Sequence, residues 1–116
     1  MVIEKEPEIV PQISIHALNG IQSYQTMRVL GKVGKHELHI LIDTGSTHNF
    51  LDTLKAKQIG CDLKNTYPLQ VGVPGGRNLY SNTVCDEFSW KLQGEIFTSS
   101  VMLLPLAGCD MVLGMQ

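Results

Sequence analysis

The sequence has no surplus of basic residues, no long apolar run and few cysteines, and each shortage excludes a class of protein. Its 116 residues hold 9 Lys and Arg against 11 Asp and Glu, a formal net charge of −2. Because no basic surplus exists to neutralise phosphates, we expect no nucleic-acid partner. The apolar runs fall far short of the ~20 residues that a membrane helix needs, and charges interrupt positions 4–8. We therefore expect a soluble protein with no membrane partner and no secretion signal.

The three cysteines are odd in number and lie far apart, at Cys61, Cys85 and Cys109. This spacing indicates small, semi-buried thiols in a reducing compartment, not a disulfide framework. The histidines lack the tight spacing of metal ligands, and no two cysteines are separated by two residues. We expect no metal site and no cofactor.

The chain does contain enough apolar material, 43% of its residues, for one small core. We predict a single domain over residues 11–116, preceded by a flexible leader or linker over residues 1–10. Alternating or apolar segments predict strands at about 12–18, 26–33, 36–42, 68–73, 79–84, 87–92 and 95–103, with 112–114 closing the chain. A short helix is predicted over about 49–58, capped by Ser46 or Thr47 and ended by Gly60. Many short strands with one or two helical turns indicate an all-β barrel or sandwich.

The tripeptide Asp43-Thr44-Gly45 is the most informative feature of the chain. Taken alone it is consistent with a simple turn, in which Asp bonds its own backbone and Gly takes a positive φ. Here, however, it follows the apolar run 40–42, and Phe50 and Leu51 come soon after it. A carboxylate between such segments is costly to desolvate unless it is hydrogen-bonded or tuned for acid–base chemistry.

These residues resemble the active-site strand and loop of retropepsin-like aspartic proteases, which begin with an apolar run and Asp-Thr-Gly-Ser. Val112-Leu113-Gly114 is similar to the second signature of that family, and residues 71–79 fall where it carries a glycine-rich flap hairpin. Residues 11–15 resemble the N-terminal strand that retroviral proteases use at their dimer interface. The residues of segments 43–51 and 108–115 look most like those of the protease of gypsy-type LTR retrotransposon Gag-Pol polyproteins.

The resemblance implies a small closed retropepsin-type barrel with one or two short helices, active as a twofold homodimer. It implies that Asp43, Thr44 and Gly45 are catalytic, with one Asp43 from each subunit activating water at a mildly acidic optimum. The residues implied to bind substrate are Val73, Pro74, Gly75 and Gly76 of the flap, with Val112 and Leu113. The implied substrate is an extended peptide of a polyprotein, cleaved in the cytoplasm within retrotransposon particles.

Two other interpretations stay open at this point. The family continues past the second signature with a helix, and retroviral members add a final strand, whereas this sequence stops at Gln116. We therefore expect a C-terminal element to be truncated, or the dimer to be held differently. A non-catalytic binding or dimerisation module with the same fold is the first alternative. A generic β-domain, in which Asp43-Thr44-Gly45 is only a turn, is the second.

Overall fold

The computed structural model describes residues 11–21, 23–75 and 78–114. The predicted leader 1–10 and the predicted flap residue Gly76 lie outside the described residues. Across the described ranges the chain forms seven strands and two short helices. The strands are β1 (Thr26–Val33), β2 (His36–Asp43), β3 (Phe50–Asp52), β4 (Lys64–Val71), β5 (Leu79–Leu92), β6 (Glu95–Leu104) and β7 (Met111–Leu113), and the helices are α1 (Ile15–Leu18) and α2 (Thr53–Ile59).

The described strands form one sheet in the order β1–β2–β7–β3–β6–β5–β4. Strand β1 also pairs with β5, at Lys32 and Lys91, so the sheet closes on itself and leaves β4 outside the ring. Most neighbours are antiparallel, but β7 runs parallel to β2, and β3 runs parallel to β6. The predicted small all-β fold of the retropepsin type is confirmed.

The short central strands are apolar on both faces because the molecule has a core on each side of them. Phe50 of β3 packs into one buried cluster, and the next residue, Leu51, packs into the other. Likewise, Val112 of β7 packs into the first cluster and Met111 into the second. Since successive strand side chains point to opposite faces, this arrangement fixes β3 and β7 between the two clusters.

Glycine-containing turns place the hairpins at their predicted positions. The two-residue loop between β1 and β2 has Gly34 at φ 58°, and the loop between β5 and β6 has Gln93 at φ 51° and Gly94 at φ 83°. Positive φ at these sites is what tight hairpins require. Gly60 takes the left-handed conformation that ends α2, as predicted.

The prediction of a strand over 12–18 is wrong beyond its first residue. Gln12 makes an isolated bridge to Gly72, and the chain then turns into α1. The side chain of Ser14 accepts a hydrogen bond from the backbone N–H of Ala17 and caps the helix. This local hydrogen bond favours the helix more strongly than the short alternating pattern favours a strand.

Other boundaries also differ from prediction, and β4 covers Lys64–Val71 where a strand was predicted over 68–73. Helix α2 is capped by Asp52, not by Ser46 or Thr47, because residues 50–52 form β3 first. The two strands predicted over 79–84 and 87–92 are one strand, β5. An irregularity in its register between Cys85 and Phe88 lies where the prediction divided it.

Candidate active site

Asp43 is the last residue of β2, and its side chain is only 1% exposed. The preceding residues 38–41 of that strand contribute Leu38, Ile40 and Leu41 to the core, all at 0% exposure. The carboxylate therefore lies at the end of a buried strand beside apolar side chains. Such a group needs hydrogen-bond donors in place of water.

Three donors supply those hydrogen bonds. The backbone N–H of Gly45 donates to Asp43 Oδ1 at 3.1 Å. The hydroxyls of Ser14 and Ser46 both donate to Oδ2, at 2.8 and 2.5 Å. Hydrogen bonds to an ionised group are among the strongest in proteins, so this set fixes the orientation of the carboxylate.

The turn that follows Asp43 is tied to β1 through its backbone. Thr44 N–H donates to the carbonyl of Gln25 at 3.0 Å, just before β1, and Thr26 pairs with Asp43 across the hairpin. Thr44 is exposed. A Cβ on Gly45 would come within 3.2 Å of Ser14 Cβ and 3.3 Å of Gln25 Oε1, so a larger residue would crowd the turn.

Strand β7 supports the active-site loop from beneath. The amide N–H of Gly114 donates to Asn49 Oδ1 at 2.9 Å, and Asn49 Nδ2 donates to Ser99 Oγ at 3.0 Å. A Cβ on Gly114 would come within 2.6 Å of the carbonyl of Ser46 and 2.9 Å of the backbone nitrogen of His48. The glycine of the second signature is therefore required by the close approach of two backbones.

The residues predicted to bind substrate fall into two groups. Pro74 and Gly75 are exposed at the tip between β4 and β5, where Gly75 has a φ of 74°, and Leu113 is half-buried. Val73 and Val112, by contrast, are only 6% and 0% exposed and belong to the core. In the single chain the side chains of Val73 and Val112 present almost no surface, and the substrate-binding role implied for both residues stays a prediction.

The sequence reasoning missed Ser14 and gave Ser46 a different role. Ser46 lies three residues after Asp43 in the same turn, a spacing that signals a local side-chain contact. Ser14 reaches Asp43 across 29 positions, and no local pattern predicts that contact.

Other chemistry is weakly represented in the described part of the chain. No group of three His, Cys, Asp or Glu side chains there is placed to hold a metal ion, and no described helix is long and apolar enough to cross a bilayer. Burial raises the pKa of the Cys61, Cys85 and Cys109 thiols, that of Cys109 to about 11. These thiols lack the lowered pKa of a catalytic nucleophile.

Comparison with known families agrees with this geometry. The family model described as retroviral aspartyl protease matches residues 19–116. The chain belongs to the retroviral aspartyl protease family. A search of curated proteins found no match. Within the matched segment lie Asp43-Thr44-Gly45 and Val112-Leu113-Gly114, whereas Ser14 lies before it.

Proposed function

We propose that the chain is an aspartic endopeptidase whose active form is a homodimer, with Asp43 of each subunit acting on one water. The observation that carries the proposal is the buried carboxylate of Asp43, oriented by three donors at the end of β2. A simple turn aspartate has no need of so much burial or of two hydroxyl donors from separate segments.

The mechanism divides two roles between two carboxyl groups. One carboxylate takes a proton from water as the water attacks the peptide carbonyl carbon, and the other carboxyl group donates its proton to the carbonyl oxygen, which gives a tetrahedral diol. As the carbon–nitrogen bond then breaks, the first carboxyl group passes its proton to the leaving nitrogen, and the second takes a proton back from a diol hydroxyl. Two such groups placed side by side share one proton because both cannot ionise easily. Asp43 is the one aspartate in the sequence that Thr-Gly follows, so each chain supplies one of the two carboxyl groups. The proposed mechanism uses no metal or cofactor.

A homodimer is supported by what surrounds the active-site loop. Thr44 is exposed beside the buried Asp43. Its hydroxyl donates a long hydrogen bond of 3.4 Å to the carbonyl of Gln25 within the chain and can exchange that bond for one across a twofold axis. Ile15 and Tyr24 are 42% and 95% exposed and adjoin Ser14 and Gln25, which both hydrogen-bond the loop. Exposed apolar side chains around a site that holds half of a catalytic pair are suited to a second copy of the chain.

The substrate we propose is an extended peptide segment of the polyprotein that carries the domain. The tip at Pro74 and Gly75 is the flap that closes over it, and Leu113 contacts it from below. We further propose a Gag-Pol polyprotein of a gypsy-type retrotransposon, processed in cytoplasmic particles, with apolar residues flanking the cleaved bond. The proposal includes no nucleic-acid or membrane partner.

The experiment is cleavage of an unfolded, apolar-rich polypeptide across about pH 4–7, where a shared-proton carboxyl pair works. Wild type is compared with Asp43→Asn and with Asp62→Asn, a matched loss of one carboxylate at an exposed position. Each protein is assayed at two concentrations that bracket its dimerisation, measured by sedimentation.

We expect wild type and Asp62→Asn to cleave, with a rate that rises faster than linearly with concentration. The Asp43→Asn substitution should lower the cleavage rate at least about 10³-fold, because it removes a reacting group. Cleavage that persists in Asp43→Asn contradicts the proposal. A dimeric wild type that cleaves nothing favours the non-catalytic module instead.

A further inference from the structure

Residues 11–14, which we name the N-terminal brace, lie before the segment that the family model matches. The brace connects the base of the flap hairpin to the active-site loop. On the flap side, Gly72 N–H donates to the carbonyl of Pro11 at 2.8 Å, and Ile13 N–H donates to the carbonyl of Gly72 at 3.0 Å. Ile13 itself is fully buried in the same cluster as Val71.

On its other side the brace bonds the loop that contains Asp43. Thr47 N–H donates to the carbonyl of Gln12 at 2.9 Å, and Gln12 N–H donates to Thr47 Oγ1 at 2.8 Å. Because alternate residues of an extended chain direct their polar groups to opposite sides, residues 11 and 13 bond the flap while residue 12 bonds the loop.

Ser14 completes the connection at the carboxylate. Its hydroxyl donates to Asp43 Oδ2 at 2.8 Å and accepts from the Ala17 N–H at 3.1 Å. Its backbone N–H donates to Ser46 Oγ at 3.2 Å, and Ser46 also bonds Oδ2. The start of α1 thus holds one side of the Ser14 hydroxyl, which leaves its proton directed at Asp43.

We infer that Ser14 is a positioning residue for the proposed reaction: it holds the Asp43 carboxylate in the orientation that catalysis uses, from a segment anchored to the base of the flap. The inference rests on the proposed function. It assigns a role to a residue outside the family match and makes the position of Asp43 depend on the docking of residues 11–14.

The test combines kinetics with a measurement that needs no activity. Ser14→Ala removes the hydroxyl, and Ser14→Thr retains it. Ser14→Gly removes it but leaves an acceptable helix cap, and Ser100→Ala repeats the loss of a hydroxyl at an exposed strand position. For each variant, kcat and KM are measured on one apolar peptide, and hydrogen exchange of the Gly45 amide, which bonds Asp43 Oδ1, is followed by NMR.

Ser14→Ala and Ser14→Gly should lower kcat about tenfold or more, the value of a hydrogen bond to a charged group, with KM changed less than about threefold. Gly45 exchange should accelerate in both variants, while Ser14→Thr and Ser100→Ala stay near wild type. A Ser14→Gly variant with wild-type kcat overturns the inference, because only the cap would then matter.

If the wild type cleaves nothing, the proposed function has failed. Hydrogen exchange of the Gly45 amide then shows by itself whether Ser14 positions the Asp43 carboxylate. Faster exchange in Ser14→Ala and Ser14→Gly, but not in Ser14→Thr, supports the positioning role. Equal exchange in all four variants overturns it.

Discussion

The contact between Gly114 and the active-site loop yields a prediction that tests the geometry without any assay of activity. In Gly114→Ala, the added Cβ would lie closer than 3 Å to the carbonyl oxygens of Ser46 and His48 and to the backbone nitrogen of His48. All three atoms belong to backbone, so no side-chain rotation relieves the overlap. Either β7 or the loop that orients Asp43 must move.

The magnitude follows from overpacking in well-ordered structure, which typically costs about 1–3 kcal/mol. For a chain of this length that corresponds to a decrease in Tm of roughly 4–12 °C. Urea unfolding and a thermal melt of wild type and Gly114→Ala measure the free energy of unfolding and Tm directly.

Gly72→Ala is the matched control. Its added Cβ would meet Gln12 Cγ at 3.4 Å, an ordinary contact with a flexible side chain, and Gly72 has no positive φ. Because alanine restricts the unfolded chain more than glycine does, this variant should be neutral or stabilised by up to about 1 kcal/mol. A Gly114→Ala variant as stable as Gly72→Ala would refute the close approach of β7 to the loop.

Three other predictions concern the core and the charged groups. Trp90 is buried with its indole N–H unpartnered among the described residues, so Trp90→Phe should cost less than about 1.5 kcal/mol by urea unfolding whereas Trp90→Ala costs about 3–5 kcal/mol. Burial raises the pKa of Cys109 from 9.0 to about 11. The unfolded chain therefore releases this proton first, and the free energy of unfolding should fall between pH 9 and 11 by up to about 3 kcal/mol; Cys109→Ala should remove that part of the pH dependence. Asp52 accepts hydrogen bonds from the N–H groups of Lys55 and Leu106, so Asp52→Ala should lower the free energy of unfolding by about 1–3 kcal/mol, and an unchanged urea midpoint would contradict that role.

Local patterns predicted the parts of the fold that depend on local physics. The β1–β2 hairpin follows from alternation and from Gly34, and the end of α2 follows from Gly60. The all-β class follows from many short strands separated by turns. Each of these features is determined by a few neighbouring residues, so it can be predicted from a single sequence.

The sequence did not show the features that depend on contacts between segments far apart along the chain. Phe50 and Leu51 form a strand because β6 and β7 lie on either side of them, which a helical spacing in the sequence does not reveal. The motif of Val112 does not show its burial, which follows from the position of β7 between β2 and β3. The contact of Ser14 with Asp43 joins residues 29 positions apart, so only the folded chain shows it.

The central claim is that catalysis needs one Asp43 from each of two subunits, and mixing subunits tests it most directly. Wild type is combined with an equal amount of Asp43→Asn at a concentration well above that at which the dimer dissociates, under conditions where dimers exchange, and cleavage is measured per wild-type subunit. Random pairing leaves about half of the wild-type subunits with an active partner, so activity per wild-type subunit should fall to about half. Activity that does not change on mixing would contradict the shared site and assign catalysis to a single chain.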